Sequence, residues 1–149
     1  MLLRNAVIRS CRIERYADRL QGESGSNHHR ERGVHVKYVL RFVETEEFAK
    51  EFDAMTPDER QRAYQRVYQW FDDHRDKIRG GSKLQEPSTA TTVRLDGGAP
   101  MTTDGPFMEG KEVVSGFTEI DVADLDEALR MVKTWPGCPV VEIRPVLEL

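Results

Sequence analysis

The chain has only two cysteines, Cys11 and Cys138, among its 149 residues. One cysteine near each end of the chain fits neither a disulfide framework nor the spacing of a metal-binding pair. A chain of this length buries roughly 70% of the surface that its unfolded form exposes, so it needs no disulfide or metal to hold a core. We therefore expect a protein of the reducing cytoplasm that carries neither a metal nor a cofactor.

Long hydrophobic runs are also missing. No apolar stretch approaches the ~20 residues that a membrane-spanning helix requires. Near the N-terminus, the apolar segment Ala6-Val7-Ile8 is too short for the core of a secretory signal, and Arg9 interrupts it. The sequence therefore gives no reason to expect a membrane partner.

Lysine is absent from the first 33 residues, which contain seven arginines and four acidic residues. The rest of the chain has 15 basic and 22 acidic residues, and a domain of that charge repels phosphate backbones, which argues against nucleic acid as a partner. Residues 21–33 are polar, contain glycine and serine and lack periodicity, as a flexible linker does. We predict that residues 1–33 form a flexible or dispensable extension and that residues 34–149 form one domain.

Two other interpretations of the N-terminal region remain open. The scattered arginines are compatible with an arm that binds nucleic acid or a membrane surface, although acidic residues lie between them. His28, His29 and His35 are compatible with a metal site, but no carboxylate pattern accompanies them, which favours solvated histidines.

The ordered part begins with a strand, because residues 36–43 (VKYVLRFV) are rich in β-branched and aromatic side chains. Thr56, Pro57 and Glu59 form the start of a helix with a capping box. We expect this helix to contain Ile78 and to end at Gly80-Gly81. Residues 90–95 then predict a second strand, residues 96–98 a turn, and residues 113–122 a third strand.

A second helix is expected to start at Asp124, to bury Leu125, Ala128, Leu129 and Val132, and to stop at Pro136-Gly137. Residues 140–146 predict the closing strand. The order β-α-β-β-α-β indicates an α+β, ferredoxin-like sandwich with helices on one face of the sheet. The other face combines apolar and charged residues, so we expect a homodimer built through it.

The polar turn from Asp104 to Glu112 concentrates the chemistry of the sequence. We predict that Pro106 holds Gly105 extended and that Phe107 anchors the turn in the core. Asp104, Lys111 and Glu112 are then candidate catalytic residues, because neighbouring carboxylate and ammonium groups suit acid–base catalysis. A purely structural role remains open, in which Asp104 caps the turn and Lys111 and Glu112 are a surface pair.

Several motifs together resemble the DGPF branch of the YCII-related proteins. They are Lys37-Tyr38-Val39-Leu40, Ala90-Thr91-Thr92-Val93-Arg94, Asp104-Gly105-Pro106-Phe107, Gly116-Phe117, Asp124 to Ala128 and Val141 to Val146. The resemblance implies a dimeric α/β-barrel of ferredoxin-like subunits, a bacterial origin and a ligand cleft beside the motif turn. We place Gly105, Pro106, Phe107, Glu109 and Arg144 around that cleft.

The resemblance says less about activity. Related proteins are thought to hold a His–Asp pair for acid–base chemistry and resemble small lactone isomerases and dehalogenating lyases. Asp104 matches the aspartate, whereas His74 lies in no matching motif, and Ser115 replaces the first glycine of a usual Gly-Gly. Members of the branch commonly begin at the first strand, so Val36 is a possible start of translation.

Two functions follow from these observations. The first is a cofactor-independent enzyme acting on an unknown small molecule, with Asp104 as general acid or base and Lys111 binding an anionic substrate. The second is a non-catalytic dimeric module that binds a ligand or a regulatory protein partner, in the way that similar proteins accompany extracytoplasmic-function sigma factors. The sequence does not decide whether the protein is an enzyme.

Overall fold

The central layer of the domain is a four-stranded antiparallel sheet. The computed structural model of the chain describes residues 35–147. The sheet has the order β2-β5-β1-β6 and is accompanied by a separate two-stranded hairpin of β3 and β4. The strands are β1 (Val36–Thr45), β2 (Ile78–Lys83), β3 (Thr91–Arg94), β4 (Met101–Asp104), β5 (Glu112–Val122) and β6 (Val140–Pro145).

Alternation along β1 places its apolar residues against the core, as the sequence predicts. Tyr38, Leu40 and Phe42 are buried, and across the pair of central strands they face Ile120, Thr118 and Gly116. Residues in register on antiparallel strands share one face of the sheet, so one face of β1 and β5 is continuously buried. The order of the four strands across the sheet, β2-β5-β1-β6, is compatible with the predicted ferredoxin-like fold.

Three helices accompany the sheet: α1 (Glu46–Ala54), α2 (Pro57–Asp73) and α3 (Leu125–Val132). The predicted capping box of α2 is confirmed, because the Thr56 hydroxyl accepts from the Glu59 amide while the Glu59 carboxylate accepts from the Thr56 amide. Asp124 caps α3 in the same manner, accepting from the Glu127 amide at 2.8 Å. No helix within residues 35–147 combines the length and the apolar character needed to cross a membrane.

Aromatic rings fill the layer between the helices and the sheet. Trp70 of α2 is buried and its indole Nε1 donates to the Thr134 hydroxyl at 3.0 Å. Phe42 of β1 stacks on Trp135, with ring centroids 4.2 Å apart, and Phe71 approaches both rings edge-on. Trp70 is therefore a packing residue of the core.

The predicted end of α2 is wrong. The helix ends at Asp73, a tight turn around His74 follows, and Ile78, Gly80 and Gly81 belong to β2. A Cβ atom on Gly81 would lie 2.4 Å from the Phe117 carbonyl oxygen of β5. The glycine pair therefore permits close approach of two strands, whereas we had interpreted it as a helix terminator.

The predicted second strand is also misplaced. Residues 91–94 do form a strand, but it pairs with Met101–Asp104 in the hairpin and not with the sheet. The predicted turn at residues 96–98 is confirmed within the connection between these two strands. The prediction that this segment forms a strand was correct, but the prediction that it belongs to the main sheet was wrong.

The buried face of α3 is rotated from the predicted one. Ala128 and Met131 are buried, whereas Leu125 and Leu129 are 48% and 38% exposed. Periodicity predicts an apolar stripe but does not say which side of that stripe a short helix presses against the sheet. The predicted extension over residues 1–33 lies outside the described residues and stays a prediction.

Candidate functional site

A cleft of about 280 Å³ opens where the end of β1 meets the start of β5 and the end of β2. The first turn of α1 forms one wall, and the segment that follows β2 forms the opposite wall. Both walls and the floor come from distant parts of the chain: Glu44, Thr45, Glu46 and Ala49, then Lys83 to Pro87, then Gly110, Lys111, Val113 and Ser115.

An ion pair lies within this cleft. The Lys83 ammonium is 2.6 Å from a carboxylate oxygen of Glu44, and the two side chains are partly exposed. The pair joins the ends of β1 and β2, which are not adjacent in the sheet because β5 lies between them. It therefore fixes a carboxylate and an ammonium side by side at the mouth of a concave site.

Lys111 lines the cleft, and its own backbone is hydrogen-bonded to α1. Its carbonyl oxygen accepts a hydrogen bond of 3.0 Å from the Glu46 amide, at the first turn of α1. The Glu46 carboxylate lies 2.8 Å from Lys50, and the hydrogen bond from Lys50 lowers the pKa of Glu46. Within residues 35–147 the Lys111 ammonium makes no ion pair, and Lys111 is one of the residues that line the cleft.

The floor of the cleft contains an irregularity in the sheet. The register of β1 and β5 shifts between Phe42 and Val43, which leaves Ser115 as the extra residue of a β-bulge. Ser115 is buried and its hydroxyl donates to the Phe42 carbonyl oxygen at 3.4 Å. The departure from the usual Gly-Gly thus adds a buried hydroxyl next to the cleft.

Cys138 is also buried near this end of the sheet, and its thiol donates to the Val140 carbonyl oxygen at 3.5 Å. Burial raises the pKa of the Cys138 thiol, so the thiolate needed for nucleophilic attack is disfavoured. Cys138 is a packing residue in this environment.

The predicted polar turn lies largely outside the cleft. Of its candidate residues, only Lys111 lines it, together with the neighbouring Gly110. Asp104 ends β4 and is exposed, and Glu109 and Glu112 are exposed as well. Within the described residues, none of these three carboxylates makes an ion pair or a side-chain hydrogen bond.

Two expectations about the turn itself are wrong. Phe107 does not anchor it in the core, because its side chain is 72% exposed. Gly105 is not extended but has φ +97°, a conformation that favours glycine, although a Cβ atom there would meet no other atom within 4 Å. Pro106 therefore follows a glycine that the backbone conformation requires.

Arg144 lies on β6, at the edge of the sheet opposite to β2. It contacts the Glu142 carboxylate, whose other oxygen is 2.9 Å from Arg41. The structure therefore does not bring Arg144 to the motif turn of its own chain.

Sequence reasoning missed the Glu44–Lys83 pair, since neither residue belongs to a motif and only the fold brings them together. It also missed a His–Asp contact: His35 Nδ1 is 3.2 Å from Asp121, which in turn lies 3.4 Å from Arg79. These residues lie at the start of β1, about 30 Å from the cleft at the rise of an extended strand. His35 and the cleft are therefore separate features.

A second, shallower cleft lies on the helix side of the sheet, between α2 and the segment after α3. His74 lines it, and its Nδ1 donates to the Trp70 carbonyl oxygen at 2.8 Å. No group of three or more histidine, cysteine or acidic side chains within residues 35–147 is arranged to hold a metal ion.

Comparison with known proteins supports the family resemblance that the sequence motifs indicate. The chain is similar to an uncharacterised protein of Rhizobium meliloti (strain 1021), with 38% identity over 69 residues, which are 44% of this chain and 56% of the relative. The match thus spans little more than half the length of that curated relative. The family profile described as the YCII-related domain matches residues 36–149, and the chain therefore belongs to the YCII-related family.

Proposed function

We propose that this protein binds a small polar molecule in the cleft between α1 and the segment after β2, and that it catalyses a proton transfer on that molecule without a cofactor. The Glu44 carboxylate is the proposed acid–base group, and the Lys111 ammonium binds an anionic part of the substrate. The reaction class is that of a lyase or isomerase, and the working form is a homodimer built through the open face of the sheet.

The observation that carries the proposal is the Glu44–Lys83 pair at 2.6 Å inside a concave site. The contact with Lys83 holds the Glu44 carboxylate in place, and a positioned carboxylate is able to accept a proton from a bound molecule. The hydroxyl groups of Thr45 and Ser115 also lie in the lining and are able to orient a bound molecule. A volume of about 280 Å³ lies close to the lower end of the range for small-molecule sites.

The first test is ligand binding. Thermal shifts against a library of small carboxylic acids and lactones should identify compounds that stabilise the wild type. Lys111→Met should abolish the shift, whereas Lys133→Met, an exposed position beyond α3, should retain it. Loss of the shift in both variants would contradict a site in the cleft.

The second test separates binding from chemistry. Solvent deuterium should enter a bound compound in the presence of wild-type protein, as measured by NMR. Glu44→Gln should bind the compound and incorporate deuterium at least ~100-fold more slowly, the usual contribution of a general base. Glu47→Gln, on the outer part of α1, is the matched control. An unchanged rate in Glu44→Gln would exclude Glu44 as the base.

A second candidate function is a non-catalytic module that docks on a regulatory protein partner, for example one linked to an extracytoplasmic-function sigma factor. The exposed apolar side chains around the hairpin of β3 and β4 favour it, because such residues in a cluster mark contact surfaces. A protein that binds compounds in the cleft without deuterium incorporation would support this second function.

A further inference from the structure

The charged residues that line the cleft of the candidate site are Glu44, Glu46, Lys83, Glu86 and Lys111. Two of them form the ion pair at the mouth of the cleft, and the Glu46 carboxylate is paired with Lys50 at 2.8 Å. The other two, Lys111 and Glu86, have opposite charges. One ammonium and one carboxylate therefore dominate the charge pattern that a molecule in the cleft would meet.

These two residues are attached to opposite walls of the cleft. Lys111 lies beside α1, because its carbonyl oxygen accepts from the Glu46 amide at 3.0 Å in the first turn of that helix. Glu86 lies in the segment after β2, which forms the other wall, and the Leu84 amide of that segment donates to the Ser115 carbonyl oxygen at 2.8 Å. Backbone hydrogen bonds thus hold the two walls in place with one charge on each.

The backbone of Glu86 is fixed by the residues that follow it. Pro87 restricts the residue before it to an extended conformation, and Glu86 has φ −54° and ψ 142°. The Glu86 carbonyl oxygen accepts from both the amide and the hydroxyl of Thr89, at 2.9 and 2.7 Å, in a short 3₁₀ turn over Pro87–Thr89. These constraints hold the main chain from which Glu86 lines the cleft.

Opposite charges on opposing walls select against a ligand that carries a single charge. An anion attracted by Lys111 is repelled by Glu86, and a cation meets the reverse, whereas a zwitterion pairs with both residues. The volume of about 280 Å³ leaves room for few atoms besides the charged groups. We propose that the ligand of the cleft is a small amino acid, with its carboxylate on Lys111 and its ammonium on Glu86. This rests on the proposed function and deepens it, because it names the substrate class and the residue that determines it.

Matched pairs of compounds test the ligand class. L-Alanine differs from propionate only in its ammonium group, as L-valine differs from 3-methylbutanoate and L-aspartate from succinate. In titration calorimetry with the wild type, the amino acid of at least one pair should bind at least ~10-fold more tightly than its analogue, the gain expected from one hydrogen bond to a charged group. Amino acids that bind no more tightly than their analogues in all three pairs would overturn the proposal.

A specificity change tests Glu86 itself. Glu86→Gln should weaken binding of the amino acid ~10-fold and strengthen binding of its analogue, because the variant loses both the attraction and the repulsion. Lys111→Met should weaken both members of the pair. Glu51→Gln, at an exposed position on α1, is the matched control and should keep the wild-type preference. A merely structural role of Glu86 would weaken both compounds equally, and that result, or an unchanged preference, would overturn the assignment.

The deuterium measurement separates this inference from the proposed function. An amino acid that binds through Lys111 and Glu86 but incorporates no deuterium would uphold the ligand class and contradict the proton transfer. Propionate or succinate that binds as tightly as its amino acid and incorporates deuterium would uphold the proton transfer and overturn the ligand class.

Discussion

The four-stranded sheet and the segment of residues 86–110, which we call the arm, place their residues in opposite surroundings. In the sheet, Leu40 and Ile120 have no accessible surface and the central strands pair over their full length. In the arm, every residue of β4 is exposed and the apolar side chains face water in the single chain. The arm nevertheless contains the DGPF motif. The difference shows that the residues that hold this fold together and those that carry its most specific sequence signal are different sets.

The largest contrast should appear when one apolar side chain is truncated in each region. Ile120→Ala should lower the free energy of unfolding by about 2–5 kcal/mol, because it leaves a cavity in the core. Phe107→Ala should change it by less than about 0.5 kcal/mol in dilute, dissociated protein, as an exposed position does. Urea unfolding measures both, and a large loss in Phe107→Ala under these conditions would show that the arm packs on its own domain.

The glycine pair of β2 offers a sharper comparison within one strand. Gly81→Ala should cost about 1–3 kcal/mol or more, because its new methyl group would meet the Phe117 carbonyl oxygen of β5. Gly80→Ala meets no atom within 4 Å and should be close to neutral. Equal melting temperatures for the two variants would contradict the close approach of β2 and β5.

The cap of α2 should give a smaller, pH-dependent effect. Thr56→Ala should cost about 1 kcal/mol near neutral pH. The hydrogen bond from Thr56 lowers the pKa of Glu59, so the part of the cap that involves the Glu59 carboxylate is present above the ordinary pKa of a glutamate and is lost as the pH falls through the lowered one. The bond from the Glu59 amide to the Thr56 hydroxyl does not depend on this charge. The difference between the melts of wild type and variant should therefore narrow in acid, and a constant difference down to the lowest pH would count against a role of the charged carboxylate.

The smallest effect is expected from removing residues 1–33. Deleting this polar, aperiodic segment should leave the melting temperature within a few degrees, because a larger shift requires the loss of core contacts. Calorimetry of the shortened chain provides the comparison. A drop of ten degrees or more, well beyond about 1 kcal/mol for a domain of this size, would show that the segment is docked.

Local signals in the sequence were sufficient where the physics is local. The apolar alternation of residues 36–43 predicted the buried face of β1, and Thr56 with Glu59 predicted the start of α2. Gly80-Gly81 was misinterpreted because the absence of a Cβ serves a helix end and a close strand contact equally well. Phe107 was misplaced since apolar residues are common on protein surfaces, so an aromatic ring alone does not predict burial.

The candidate site was harder to predict, because its residues are far apart in the sequence. Glu44, Lys83 and Lys111 come from three chain segments and meet only because β1, β5 and β2 end together. No spacing rule connects them. Of the predicted catalytic residues of the motif turn, Lys111 lines the cleft, whereas the most conspicuous carboxylate, Asp104, lies on the arm.

Hydrogen–deuterium exchange of the wild type at high and at low protein concentration tests the central claim most directly. Peptides covering β1 and β5 should be equally protected at both concentrations, since their hydrogen bonds belong to the single chain. Peptides covering residues 86–110 should exchange faster than those of the sheet at the low concentration, because β4 and the apolar side chains of the arm are exposed in the single chain. Arm protection equal to that of β1 and β5 in dilute protein would contradict the account, because the arm would then pack on its own chain.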